Sequence, residues 1–212
     1  MKISCQELSE LTTKAILKYG YSEEEAEIIR GMLMYAQLRG NDQGIVKLIG
    51  KGMPKHEKAQ QPTVEKETPT TAIINANLSM EAVALEQAVA MVIGKAKETG
   101  IAIVGTHTGD GSSGAMGYWS RKIADAGLIW ISMSSYPFGM VPPHGAHEPL
   151  FCTNPIAWGI PTEGDPIVLD MSSSGISYYG LVEAKTRGDQ VADGLGYDKD
   201  GKETTDPAAI ME

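Results

Sequence analysis

The sequence has few cysteines, and they form no pattern. Its 212 residues include only Cys5 and Cys152, which lie far apart in the chain. A disulfide-rich secreted domain and a cysteine-ligated zinc site both need clustered or regularly spaced cysteines, so the sequence excludes both. Two reduced thiols in a cytoplasmic protein are the expected state.

The sequence also lacks an excess of positive charge. Its 18 Lys and Arg residues are scattered and stand against 27 Asp and Glu residues, which gives a net charge of −9. Nucleic acids and anionic membranes bind basic surfaces, so neither is an expected partner. No segment approaches the roughly 18 uninterrupted apolar residues of a membrane-spanning helix. The N-terminus, MKISCQELSE, turns polar too early for a signal peptide.

The first fifty residues carry the signals of a helical hairpin. Ser4 with Glu7, and Ser22 with Glu25, are spaced as capping boxes ahead of apolar stripes at helical spacing. A glycine follows each stripe and predicts the end of the helix. From about residue 51 to 71 the chain is polar and contains proline, which predicts a connecting arm. Residues 1–70 are therefore interpreted as a helical region with its arm.

From residue 71 onward, apolar runs alternate between strand and helix patterns. The strands are predicted at 71–77, 101–105 and 128–133, then in PIAWGIP and PIVLDM around a turn near 163–165. Helices are predicted at about 79–98 (capped by Ser79 and ended by Gly100), 115–126 and 176–187. Strands that alternate with helices predict an α/β layer with mainly parallel pairing. Residues 71–212 are expected to form this single α/β region.

A glycine loop, GDGSSG at 109–114, fits the pattern GxGxxG of dinucleotide-binding folds. Three features disagree with that interpretation. The first glycine lies several residues beyond the strand, Ser134 and Ser135 stand where an acidic residue is required, and Asp110 would put negative charge into an anion site. The loop is interpreted instead as a place where a helix packs closely on the sheet, and it can still line a pocket.

Several phrases, taken in order, resemble one family. They are LRG at 38–40, GAMGYW at 114–119, ADAGLI at 124–129, VPPHGAHEPLFCTNPIAWGIP at 141–161, VLDMSSS at 168–174 and DKDGKETTDP at 198–207. Together they resemble the malate/L-lactate dehydrogenase family, which includes ureidoglycolate dehydrogenase, diketogulonate reductase and piperideine-carboxylate reductase. The resemblance covers the chain from Ile3 to its end.

The resemblance implies an NAD- or NADP-dependent oxidoreductase that interconverts a small 2-oxo acid and its 2-hydroxy acid. It implies an α/β fold, with an N-terminal helical hairpin and a mixed-sheet, non-Rossmann nicotinamide-binding region, and a homodimer with sites near the interface. It also implies a cofactor site at two turns of the chain. The residues of that site are Thr153, Asn154, Val168, Leu169, Asp170, Met171, Ser172, Ser173 and Ser174.

The chain departs from the family pattern in three places. The family usually reads RG-x-x-SHG where this chain has RGNDQG, so Gln43 stands nearest to the His that is the expected proton donor. A second family His falls on Ser112. The family continues well past Glu212, and no apolar stripe follows Pro207, so the sequence is expected to be cut short.

Reduction of a 2-oxo acid needs a group that holds the carboxylate and a group that donates a proton. Arg39 can bind both carboxylate oxygens, although an Arg at a helix end can equally interact with its own helix dipole. Gln43 can polarise a carbonyl but cannot give up a proton near neutral pH. Asp42 is interpreted as a turn or helix cap.

The histidines supply the alternative proton donors. His107 follows a predicted strand, and His144 lies in the Pro-rich loop; either one titrates in the required range. His56 is expected to be solvated in the polar arm. His144 and His147 form a His-x-x-His pair, but a metal site needs a third ligand, so no metal is expected.

The interpretation depends on one cleft. The turns around Thr153 and Asp170 must lie together to hold a nicotinamide nucleotide, with Asp170 accepting from a cofactor hydroxyl or, alternatively, capping a helix. The competing hypothesis is a truncated, non-catalytic relative that keeps the scaffold for ligand or partner binding.

Overall fold

The computed structural model describes residues 2–212. The helices are α1 (Cys5–Lys18), α2 (Glu23–Gln37), α3 (Glu81–Thr99), α4 (Met116–Asp125), α5 (Tyr178–Arg187) and α6 (Pro207–Ile210), with a π-helical turn at Lys47–Lys51. The strands are β1 (Thr63–Glu67), β2 (Thr71–Asn75), β3 (Ile103–His107), β4 (Trp130–Met133), β5 (Ile156–Ile160) and β6 (Ile167–Met171). The predicted class, an α/β fold with an N-terminal helical hairpin and a mixed sheet, is confirmed.

Both helices of the N-terminal hairpin begin at the N-cap serines that the sequence predicts. The Ser4 hydroxyl accepts from the Glu7 amide at 3.1 Å at the start of α1. At α2 both halves of the capping box form, because Ser22 accepts from the Glu25 amide and the Glu25 carboxylate accepts from the Ser22 amide. The same carboxylate lies 2.8 Å from Lys55 Nζ, so the hairpin is held to the arm that follows it.

The strands form two separate three-stranded sheets rather than one layer. In the first sheet β2 lies between β1 and β3, antiparallel to β1 and parallel to β3. In the second sheet β5 lies between β4 and β6, and both pairings are antiparallel. The prediction of mainly parallel pairing is therefore wrong. The predicted connecting arm contains the strand β1.

The second sheet is covered on one face only, as antiparallel sheets allow. The inward side chains of β5 are Ala157 and Gly159, and a Cβ on Gly159 would lie 2.4 Å from the Ser120 carbonyl oxygen of α4. The outward side chains Ile156, Trp158 and Ile160 are exposed. A continuous apolar run resembles a strand of a parallel sheet, which is covered on both faces, and that resemblance misled the prediction.

The start of α3 also differs from the prediction. Met80 occupies the N-cap position without a side-chain hydrogen bond, and Ser79 Oγ is buried with no partner among the described residues. The Glu81 amide instead donates to the Asp110 carbonyl at 3.0 Å, so the glycine loop caps the helix. The end is as predicted, with Gly100 in the left-handed conformation at φ 83°.

One hydrophobic cluster joins the helical region to the α/β region. It includes Ile29 and Leu33 of α2, Val83 of α3, and Trp119 and Ile123 of α4. The boundary predicted near residue 70 stays a prediction. Within residues 2–212, no helix is both long and apolar enough to cross a membrane.

Candidate active site

The glycine loop packs closely against two helices. A Cβ on Gly114 would lie 2.0 Å from Met32 Sδ of α2, and one on Gly109 would lie 1.7 Å from Glu81 Oε2 of α3. Gly114 also has φ +74°, which favours glycine. Close packing therefore accounts for these two glycines, in agreement with the interpretation from the sequence.

Lys47 is fully buried at the start of the π-helical turn. Its Nζ donates to Ser112 Oγ of the glycine loop at 2.8 Å and lies 4.2 Å from the centre of the Tyr179 ring on α5. No carboxylate of the described residues lies within salt-bridge distance of it. Burial lowers the pKa of Lys47 from its ordinary 10.5 to about 7, while the charge of Asp42 acts in the opposite direction.

A polar cluster at the end of the loop after α2 lies next to Lys47. Ser177, the N-cap of α5, donates to Asp42 Oδ2 at 2.6 Å and accepts from the Gly180 amide at 2.9 Å. Gln43 Nε2 donates to Asp42 Oδ1 at 2.9 Å and lies 3.3 Å from Ser177 Oγ. The Gln43 side chain is therefore held between the N-terminus of α5 and the carboxylate before it.

The two turns expected to hold the cofactor lie together. The Thr153 carbonyl oxygen accepts from the Ser173 amide at 2.9 Å and from the hydroxyls of Ser172 and Ser173 at 3.0 Å each. Ser172 and Ser174 are joined by a 2.6 Å hydrogen bond between their hydroxyls. The expected adjacency of these turns is confirmed.

A cavity of about 380 Å³ opens beside these turns. His144, Cys152, Asn154 and Ser173 are among its lining residues. Asn154 has a left-handed backbone with φ 38°, and its Oδ1 is buried without a hydrogen-bond partner among the described residues. A buried acceptor without a partner is rare in proteins.

Asp170 points from β6 to the start of α4. Its Oδ2 accepts from the Gly117 amide at 2.8 Å, at a helix whose own N-cap residue offers no side chain. Burial raises the pKa of Asp170, while hydrogen bonds from the amides of Gly117 and Met116 act in the opposite direction. Asp170 therefore caps a helix, although α4 precedes it in the chain rather than following it.

Arg39 and His107 have local partners. Arg39 donates to the Tyr35 carbonyl oxygen at 3.1 Å, and its guanidinium lies 3.7 Å over the Tyr35 ring, so it interacts with the end of its own helix. His107 is exposed, with Nε2 2.9 Å from Glu65 Oε2 and Nδ1 2.8 Å from Thr108 Oγ1. Substrate binding by Arg39 and proton donation by His107 stay predictions. No group of three potential metal-ligating side chains occurs in residues 2–212.

The structure thus brings Gln43 to Ser177, and the two cofactor turns to each other and to His144. Lys47 and Tyr179 were not predicted from the sequence, and Ser112 was noted only as the place of a missing His. The available signal was a lone Lys inside the apolar run IVKLI, where a solvated residue is not expected.

The cavity suits a polar ligand with hydroxyl groups. Asn154 and the exposed Ser173 line the cavity from the two turns, and both carry polar side chains that can hydrogen-bond. These groups fit the sugar and phosphate parts of a nicotinamide dinucleotide. Val168 packs inward against α4, whereas Leu169 and Met171 are exposed on the outer face of β6.

Comparison with known proteins adds an independent finding. A family model described as malate/L-lactate dehydrogenase matches residues 3–212. The chain is similar to the NAD(+)-dependent ureidoglycolate dehydrogenase of Escherichia coli O157:H7, at 34% identity over 99% of this chain and 61% of that protein. It is also similar to the malate/(S)-sulfolactate dehydrogenase of Methanothermus fervidus, at 32% identity over 98% of this chain and 62% of that protein.

Solved structures give the same fold. A dehydrogenase from Sinorhizobium meliloti has a TM-score of 0.87 at 28% identity, covering 99% of this chain and 63% of that one. Delta1-piperideine-2-carboxylate reductase from Pseudomonas syringae has a TM-score of 0.80 at 30% identity, covering 100% of this chain and 65% of that one. The chain thus spans about three fifths of the length of the proteins it resembles.

Proposed function

Since the chain belongs to the malate/L-lactate dehydrogenase family, we propose that it acts as an NAD(P)-dependent oxidoreductase that interconverts a small 2-oxo acid and its 2-hydroxy acid. Homologous dehydrogenases of this family use NAD(P). We further propose that it works as a homodimer in the cytoplasm.

The observation that carries the proposal is the cavity that the loop at 141–152 forms with one residue of each turn. Asn154 and Ser173 line this cavity, and the Asn154 oxygen has no partner among the described residues. The nicotinamide, when bound, supplies the hydride, and the protein supplies orientation and charge. Asn154 would contact the ribose through its amide group. The serines at 172–174 would donate to phosphate by turning their hydroxyls away from the carbonyl oxygens of Thr153 and Ile176.

Gln43 and the groups around it would hold the substrate. The Gln43 amide is fixed by Asp42 and Ser177, and these contacts use both of its N–H groups. To donate to a substrate carbonyl oxygen it would therefore release its longer contact, the 3.3 Å one with Ser177. Arg39 is proposed to hold the carboxylate, which requires it to leave its contact with Tyr35. His107 and His144 stay proposed proton donors, and His144 has the advantage that it lines the cavity.

A pair of matched glycine variants tests the cofactor site. Asn154→Gly removes the amide but keeps the positive φ without strain, so it should weaken NADH or NADPH binding by about 2- to 10-fold, the worth of a hydrogen bond. The control is Asn77→Gly, because Asn77 also has positive φ, at 51°, but bonds to Gln61 and Thr63 near the first sheet. Dissociation constants measured by cofactor fluorescence should change in the first variant alone.

Cofactor binding and turnover, measured together on the wild-type protein, separate the two candidate functions. Cofactor binding with turnover of at least one acid from a panel of 2-oxo acids supports the enzyme. Cofactor binding without turnover favours a non-catalytic relative, a hypothesis motivated by Gln43 in place of a titratable donor. Wild-type protein that binds neither nicotinamide would contradict the proposal.

A further inference from the structure

The proposed reaction needs a proton donor, and a fully buried lysine, Lys47, has no other evident purpose. Lys47 is fully buried, yet no carboxylate lies within salt-bridge distance among the described residues. An unpaired buried ammonium is costly, and a buried Lys kept only for stability is normally paired. The chain nevertheless places Lys47 with its Nζ 2.8 Å from Ser112 Oγ.

The hydrogen-bond inventory of Ser112 leaves its proton free. A serine hydroxyl has two acceptor sites and one donor. Ser112 Oγ accepts from Lys47 Nζ at 2.8 Å and from the Gly114 amide at 3.1 Å, so both acceptor sites are used. Within residues 2–212 its O–H has no protein acceptor, and Ser112 is only half-buried. The hydroxyl proton is therefore free for donation to a bound ligand.

The groups around the pair keep Lys47 able to change its charge. Asp42 lies near enough to favour the ammonium, but its two oxygens already accept from Ser177 and Gln43. Tyr179 of α5 presents the face of its ring, which favours the cation weakly. Burial outweighs both and brings the pKa of Lys47 to about 7, the range in which a proton can be both given and taken.

We propose that Ser112 and Lys47 form a proton relay for the 2-oxo acid, an inference that rests on the proposed function. As the carbonyl carbon receives two electrons with the hydride, the Ser112 O–H bond breaks and an O–H bond forms on the substrate oxygen. An N–H bond of Lys47 breaks at the same time, and its proton restores the serine hydroxyl. The neutral Lys47 amine regains a proton from solvent after the product leaves. Ser112 is the catalytic residue, and Lys47 is a positioning residue that acts through it.

The relay predicts opposite pH profiles for the two directions. Reduction needs the Lys47 ammonium, so its kcat/KM should fall as pH rises through the pKa near 7, and oxidation of the hydroxy acid should rise over the same range. Lys47→Met should remove both dependences and lower the rate by about 100-fold or more. Ser112→Ala should do the same, and Ser112→Thr, which keeps a hydroxyl, should recover part of the rate.

Lys51→Met is the matched control. Lys51 lies on the same π-helical turn and faces the neighbouring ring of Tyr178 at 5.2 Å, but it is exposed. This variant should keep both wild-type pH profiles. Cofactor dissociation constants should be equal in all four variants. If wild type binds cofactor and turns over while Lys47→Met behaves like Lys51→Met, the relay is wrong and the proposed function survives.

A second readout needs no turnover. In wild-type protein grown with isotope-labelled lysine, an NMR titration should give one amine with a pKa near 7 that is absent from Lys47→Met. Oxamate, an anionic analogue of a 2-oxo acid, should raise that pKa when it binds beside Ser112. A normal Lys47 pKa, or one that oxamate leaves unchanged, would overturn the relay whether or not the protein turns over substrate.

Discussion

At the scale of single residues, Lys47 should govern how stability depends on pH. Its pKa is about 7 in the folded protein and its ordinary value is 10.5, so between these values unfolding takes up a proton. Wild-type stability should therefore rise as pH increases from about 7 toward 10, where the burial cost of the ammonium disappears. Lys47→Met should lose this rise, because methionine has no charge to bury. Denaturant midpoints measured across that pH range test the prediction.

Lys51→Met is again the comparison, since it removes one exposed charge from the same turn. It should keep the wild-type rise in stability with pH. A Lys47→Met protein whose midpoints follow the wild-type curve would show that Lys47 titrates normally when folded.

The sequence predicted local residue roles better than distant ones. Ser22 and Glu25 form their capping box because both partners lie within one turn of chain. Lys47 and Ser112 are 65 positions apart, so nothing in the spacing signals that they meet. Gln43 was identified only by its position in a motif, and its contact with Ser177 spans 134 positions.

At the scale of elements, the glycine loop should be sensitive to added volume where it touches α2. Gly114→Ala would place a Cβ 2.0 Å from Met32 Sδ at a backbone with φ +74°. The positive φ costs about 1–2 kcal/mol and overpacking a further 1–3 kcal/mol. The matched variant is Gly111→Ala, because Gly111 has φ +75° and nothing within 4 Å of the added Cβ.

Chemical denaturation of both variants separates the two costs. Gly111→Ala should show only the cost of placing alanine at a positive φ. Gly114→Ala should lower the free energy of unfolding further, by the cost of overpacking. Coupling between Gly114→Ala and Met32→Ala in a double-mutant cycle would identify the contact. If the two alanine variants lose the same free energy of unfolding, the loop can move to accommodate the added Cβ. Packing against α2 would then not explain why residue 114 is glycine.

Sequence patterns failed for the elements whose hydrogen-bond partners lie in another segment of the chain. The strand β1 reads TVEKE, with all five residues exposed, so no alternation marks it as a strand. It exists because β2 provides an edge for antiparallel pairing. The start of α3 was assigned to Ser79 by its residue type, whereas the Asp110 carbonyl from the glycine loop accepts the Glu81 amide there.

At the scale of the whole molecule, the order of elements predicted the class but not the arrangement of sheets. The unit β2–α3–β3 is parallel, as its helical crossover requires. The strand β4 does not extend that sheet, because α4 lies against the second sheet and supports β4, β5 and β6 from one face. Periodicity within an element does not specify which sheet a strand joins.

The shared hydrophobic core leads to the last prediction, that the described regions unfold together. Ile29 of α2 is fully buried in the cluster that also contains Trp119 of α4. Ile29→Ala should therefore lower the free energy of unfolding by about 2–5 kcal/mol. The denaturation midpoints followed by helix content and by Trp fluorescence should shift by the same amount. Leu11→Ala on α1, where Leu11 is half exposed, should shift both far less.

Coincident transitions, followed by circular dichroism and fluorescence, would mean that residues 1–70 have no stability of their own. That outcome follows if α1 and α2 cannot fold as an isolated pair, since a helix pair that small buries too little surface to fold alone. Two separated transitions, with Ile29→Ala moving only the first, would instead support the predicted domain boundary near residue 70. The cofactor cavity would then belong to a unit that is stable without the hairpin, and Ile29→Ala would leave cofactor binding unchanged.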